Sequence, residues 1–153
     1  MTWRMWMVGL IGAGAMAGSV NAATAKREHF GTLPDGTPIE SVVLTGTNGV
    51  SARIMTLGAT LQALNAPDRA GHIADVTLGY DDARSYVEHP NYWGQTIGRY
   101  ANRIAGGKFT LDDHTYRLPR NNGSSTLHGG PLGFQYLPWQ ASPEDDGVRA
   151  FNQ

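Results

Sequence analysis

From Val50 onward apolar and polar positions alternate, with Val50, Ala52 and Ile54 set against Ser51 and Arg53. That period of two marks a strand with one face buried. Ile39 to Thr45 is rich in β-branched residues and predicts a second strand, bounded by the turn-forming stretches Leu33-Pro34-Asp35-Gly36-Thr37-Pro38 and Thr47-Asn48-Gly49. Gly58 is expected to break or bulge the chain before a strand over Ala59 to Leu64. Ala66 to Gly71 then reads as a turn and Ile73 to Leu78 as another strand, while Asp82 to Val87 suits one short helical turn capped by Asp81 or Asp82. Gly107 to Leu118 predicts a hairpin with Phe109 and Leu111 on one arm, Tyr116 and Leu118 on the other, and Asp112-Asp113-His114 at the turn. A last strand is expected to start at Val148. No long helical period, internal repeat or low-complexity tract interrupts the series, so the chain reads as an all-β sandwich.

Composition agrees with that reading. Twenty Gly and eight Pro among 153 residues imply many turns, and 41% hydrophobic residues suffice for the core of one domain. The formal charge is −1 and the basic residues are scattered, which argues against a nucleic-acid partner. Absence of cysteine excludes disulfides and thiolate metal sites.

Residues 1–22 read as a targeting segment. Arg4 precedes an apolar, small-residue run from Met5 to Val20, and Val20-Asn21-Ala22 resembles a signal-peptidase site, so cleavage is expected after Ala22. The run is marginal in length for a membrane span and no basic stop-transfer flank follows it, so no stable membrane anchor is expected after cleavage and the protein is expected to be exported, periplasmic or extracellular. Gly12-Ala13-Gly14 lacks the strand, helix and acidic ribose ligand that a dinucleotide loop requires.

The stretch Ile97-Gly98-Arg99-Tyr100-Ala101-Asn102-Arg103-Ile104 and the later Leu127-His128-Gly129-Gly130 gather the candidate chemistry. Arg103 offers a rigid fork of donors, Asn102 both donors and acceptors, and His128 a proton-transfer group, a set that suits a neutral polyol such as a sugar. Taken singly, Arg103 reads as a surface ion pair, Asn102 as a turn residue and His128 as a histidine satisfied by backbone. Arg99 lies four residues before Arg103 and reads equally as a ligand contact or a structural salt bridge. His29, His72, His89 and His114 match no zinc spacing, and no metal site is expected. Tyr92, Trp93, Phe134, Tyr136 and Trp139 read as core or rim.

These motifs, together with Gly107-Lys108-Phe109-Thr110-Leu111-Asp112 and Asn121-Asn122-Gly123, follow in order and spacing the pattern of the aldose 1-epimerases (galactose mutarotases). The resemblance continues upstream through Leu57 to Leu61, Ala66 to Arg69 and Val76 to Asp81, and covers roughly residues 30–140. Asp113 stands where the family usually has Gly in the hairpin turn. The resemblance implies the large two-sheet supersandwich, incomplete in this chain, with residues 23–153 forming the N-terminal part of an epimerase domain.

It also implies interconversion of the α and β anomers of a hexose such as galactose or glucose. A base takes the anomeric proton and an acid protonates the ring oxygen, with no cofactor. By resemblance Asn102, Arg103 and His128 bind the sugar, and His128 assists proton transfer. The family's principal acid, a mid-chain histidine, and its base, a late carboxylate, are expected beyond Gln153, so this chain alone is expected to be a fragment with little or no activity. Two rivals remain. One is a non-catalytic carbohydrate-binding module derived from the same fold; the other is an epimerase-like enzyme for phosphorylated hexoses, which the scattered charge and the leader disfavour.

Overall fold

The structure, a computed structural model, describes residues 24–144 and 147–151. The expected leader, residues 1–22, therefore lies outside the described residues. A five-stranded antiparallel sheet runs in chain order through β1 (Thr24–Thr32), β2 (Pro38–Thr45), β3 (Ser51–Met55), β4 (Thr60–Pro67) and β5 (Ile73–Asp75). A six-residue helix, α1 (Ala83–Glu88), follows, the one α-helix among the described residues. Beyond it come three two-stranded pairs: β6 (Arg103–Ile104) with β9 (Thr126–Leu127), β7 (Lys108–Leu111) with β8 (His114–Arg117), and β10 (Gln140–Glu144) with β11 (Gly147–Phe151). The fold is all-β, as the alternation indicates.

The strands expected near Ile39, Val50, Ala59 and Ile73 all form, with different ends. β4 runs on to Pro67, so the turn begins at Asp68, whose carboxylate accepts the N–H groups of Ala70 and His72. β5 stops at Asp75 instead of Leu78, because the Asp75 carboxylate takes the Thr77 N–H and hydroxyl and the Leu64 N–H that a longer ladder would have used. The sequence pattern missed β1: its residues, TAKREHFGT, alternate poorly because it is the outer strand of the sheet and few of its side chains are covered. In the β7–β8 hairpin Leu111 faces His114, leaving a two-residue turn in which Asp112 and Asp113 both have positive φ, 49° and 58°. That is the backbone a type I′ turn demands, and Asp is among the residues that tolerate it without glycine.

The core gathers Ile39, Met55, Leu57, Ala83 and Tyr86, with Phe30, Leu33 and Tyr80 packed against them. Asp82 caps α1 as expected, accepting the Ser85 N–H at 2.9 Å, which turns Ala83 and Tyr86 onto the sheet. Gln62 is buried among these strands but satisfied, donating to the Tyr80 carbonyl at 3.0 Å and accepting from Arg53 at 3.2 Å.

Gly58 does more than bulge the chain. It has φ +66°, and an added Cβ would meet the Gln135 backbone at 2.6 Å. Its N–H donates to the Leu137 carbonyl and its own carbonyl accepts from Thr96, each at 2.9 Å. The β3–β4 turn is thus the peg to which the segments around 96 and 137 are tied.

Candidate functional site

β6 and β9 form a short antiparallel ladder with Arg103 opposite Leu127 and Ile104 opposite Thr126. One step beyond the ladder Asn102 faces His128. The His128 N–H donates to the Asn102 carbonyl at 3.0 Å, as a continued ladder would require. The return bond is different: the Asn102 N–H donates to His128 Nδ1 at 3.1 Å, and the His128 carbonyl accepts instead from Gln135 Nε2 at 3.1 Å. Asn102 and His128 have φ of 61° and 52°, the left-handed turn that swings the imidazole back over the ladder's end. Because a backbone amide can only donate, this contact places the ring hydrogen on Nε2, which can then donate to a bound hydroxyl.

Arg103 is exposed, and its Nε donates to Asn122 Oδ1 at 2.9 Å while Nη1 donates to Asn102 Oδ1 at 3.3 Å. The structure therefore brings together all three residues singled out in the sequence: Asn102, Arg103 and His128. Among the described residues no carboxylate hydrogen-bonds or pairs with any of them. Nor do any three His, Asp or Glu side chains there stand close enough to hold a metal ion.

Arg99 lies over the Phe134 ring, its guanidinium carbon 5.2 Å from the centroid, rather than beside a carboxylate. The Gly98–Arg99 peptide is cis. Arg99 and Arg103 border a hollow of about 760 Å³ whose walls include Ile104, Phe109, Leu118, Leu132 and Phe134. Asn102 and His128 are not among its lining residues, so this hollow is mainly apolar and meets the polar cluster through Arg103 and Gly129. The trio, not the hollow, carries the chemistry suited to hydroxyl groups.

The glycines after His128 have a use other than ligand approach. Gly129, at φ +82°, lies so near Gly98 that a Cβ would run into the Gly98 carbonyl oxygen, so the two motif segments cross backbone to backbone. Three further side chains complete the site without any local sequence signal. The Tyr92 ring meets the His128 ring edgewise at 4.8 Å. Near it, burial first and then the neighbouring Tyr92 hydroxyl push the Tyr136 phenol above its ordinary value. Gln135 is fully buried, and its backbone carbonyl in turn accepts from Gln95 at 3.0 Å.

The sequence pattern of the family described as Aldose 1-epimerase matches residues 40–151. A galactose mutarotase of Bos taurus is 39% identical over 122 residues, which is 80% of this chain and 36% of that protein. An aldose 1-epimerase of Escherichia coli is 36% identical over 113 residues, covering 74% of this chain and 33% of its own length. Among solved structures, a GalM/aldose epimerase homologue from C. elegans superposes with a TM-score of 0.61 at 29% identity, covering 80% of this chain and 33% of the other. A galactose 1-epimerase from Lactobacillus acidophilus superposes with a TM-score of 0.65 at 22% identity, a likeness of fold, over 80% of this chain and 36% of the other. The chain spans about a third of the length of the curated relatives it matches.

Proposed function

The chain belongs to the aldose 1-epimerase family, and from that premise we propose that it serves the interconversion of hexose anomers by supplying the sugar-holding side of the site. Asn102 and Arg103 hydrogen-bond hydroxyls of a hexose such as galactose or glucose. His128, with its Nδ1 occupied by the Asn102 N–H, offers Nε2–H to the sugar and assists proton transfer there. The observation that carries this reading is the convergence of these three side chains at the end of one two-stranded ladder.

Ring opening needs both a base and an acid. Because no carboxylate among the described residues contacts the trio, the 153-residue chain is expected to bind a hexose and turn it over slowly or not at all. Polarimetry of freshly dissolved α-D-galactose, with buffer alone and His128→Ala as references, tests this alongside an NMR titration with the same sugar. Binding without acceleration is the expected result. Acceleration abolished by His128→Ala would show a working acid and base within the chain, and failure to bind any hexose would sink the sugar reading altogether.

Export is part of the proposal. The apolar run behind Arg4 and the Val20-Asn21-Ala22 site support removal of residues 1–22. Mass spectrometry of the mature protein should find Ala23 at its start; a retained Met1 would overturn export by cleavage.

A further inference from the structure

The Asn121-Asn122-Gly123 motif has no part in the function proposed so far, yet its two amides reach both halves of the site. Asn121 grips β9 twice, donating from Nδ2 to the Leu127 carbonyl at 3.0 Å and accepting the Leu127 N–H on Oδ1 at 2.7 Å. Leu127 is buried, so this pair of hydrogen bonds fixes the motif to the strand that leads into His128. Asn122 is tied down in turn: its N–H donates to the Ser125 carbonyl at 3.2 Å and its carbonyl accepts the Ser125 N–H at 3.0 Å. From that anchored backbone, Asn122 Oδ1 accepts from Arg103 Nε at 2.9 Å.

An exposed arginine has a long, freely rotating side chain, and ordering it on binding a neutral ligand offsets much of the hydrogen bonding gained. A neutral ligand supplies no charge to draw the guanidinium into place. Here no carboxylate among the described residues holds Arg103; the only partners it has there are the Asn102 and Asn122 amide oxygens. The bond to Nε fixes the plane of the fork and leaves Nη2 and the remaining Nη1 hydrogen pointing outward as donors. An amide is well suited to this task. It accepts strongly enough to orient the guanidinium, and unlike a carboxylate it does not neutralise the charge that would strengthen bonds to sugar hydroxyls.

We propose that Asn122 is a positioning residue that presets the Arg103 guanidinium for a sugar, with Asn121 anchoring it to β9. The proposal rests on the reading of Arg103 as a sugar contact. The test uses the full chain with ¹⁵N-labelled arginine, in wild-type form and as Asn122→Ala and Asn122→Asp, with Arg103→Lys identifying the Arg103 Nε–H signal. In the wild-type chain that signal should be sharp and protected from exchange. In N122A it should broaden or exchange quickly, and galactose binding should weaken roughly tenfold, the scale of one hydrogen bond to a charged group. N122D keeps an acceptor oxygen in place and should restore the sharp Nε–H signal, while galactose binding should stay weaker than in the wild type because the carboxylate neutralises part of the guanidinium charge. An unchanged Nε–H signal in N122A would overturn the proposal. So would equal loss of the Nε–H signal in N122A and N122D, which would mean that the turn matters rather than the contact. If galactose binds to none of the chains, the sugar reading fails, and the Nε–H signal alone decides whether Asn122 holds Arg103.

Discussion

Asn102, His128 and Tyr92 are left-handed at φ of 61°, 52° and 61°, each at a cost of about 1–3 kcal/mol that the surrounding bonds must sustain. At His128 those bonds are evident: the ring nitrogen accepts from Asn102 and the carbonyl from Gln135, so the strained backbone is held from both ends. Such strain at the side chains proposed to bind hydroxyl groups fits a site whose geometry is set before a ligand arrives. Gly129 is held by a different constraint, because it needs positive φ and also has no room for a side chain beside the Gly98 carbonyl. Gly129→Ala should therefore destabilise the chain by at least about 2 kcal/mol in chemical denaturation, against a few tenths for an alanine at an unconstrained position. A stability equal to that of the wild type would show that the two segments do not cross as described. Gly36, also at positive φ but with open space around it, is the control: its substitution carries the backbone cost alone.

Among the elements, α1 is the one capped by an ionised side chain, that of Asp82. The Asp82 carboxyl lies below its ordinary value of 3.8, chiefly through the Ser85 hydroxyl and then through the Ser85 N–H. Because the folded value is depressed, the cap's contribution is present above the ordinary carboxylate range and is lost as pH falls through the folded value. Asp82→Ala should cost roughly 1 kcal/mol at neutral pH, as loss of a cap usually does. The difference from wild type should shrink as the pH is taken below about 4, where the wild-type carboxyl begins to protonate. A gap that stays constant with pH in denaturation curves would mean that the carboxylate is not the cap. The helix in turn carries Ala83 and Tyr86 into the core, so its loosening should be felt at Ile39 and Met55 rather than at His128.

For the whole molecule the informative quantity is apolar surface left uncovered. Leu132 is 80% exposed, Leu78 69% and Val76 63%, and Phe109 and Tyr116 stack on each other with 43% or less of each exposed. Leu132 and Phe109 border the apolar hollow beside Arg103, and Val76 and Leu78 follow the outer strand β5, so the exposure falls at two places. Monomers in solution seldom leave such patches open. Sedimentation of the full chain should show self-association that grows with concentration, and Leu132→Ser should reduce it. A monodisperse monomer at high concentration would contradict this.

The fold class, four strands of the main sheet, the capped turn at Asp82 and the hairpin over Gly107 to Leu118 were all legible in the residues, because alternation, capping and turn preference act within a few positions. Asn102, Arg103 and His128 were legible for a related reason: each stands in a short motif framed by glycine, and the order of those motifs is the family's. Strand β1 was not, since an outer strand has little burial to impose a pattern. The partners that aim the site were not legible either. Asn122 meets Arg103 across 19 positions, Asn102 meets the His128 ring across 26, and Gln95 meets Gln135 across 40. No local preference distinguishes an amide that will hold a guanidinium from one that will face water. That choice was made only when the β3–β4 turn and the β6–β9 ladder brought those segments side by side, where a buried or shared polar atom must find its partner or lose its hydrogen bond.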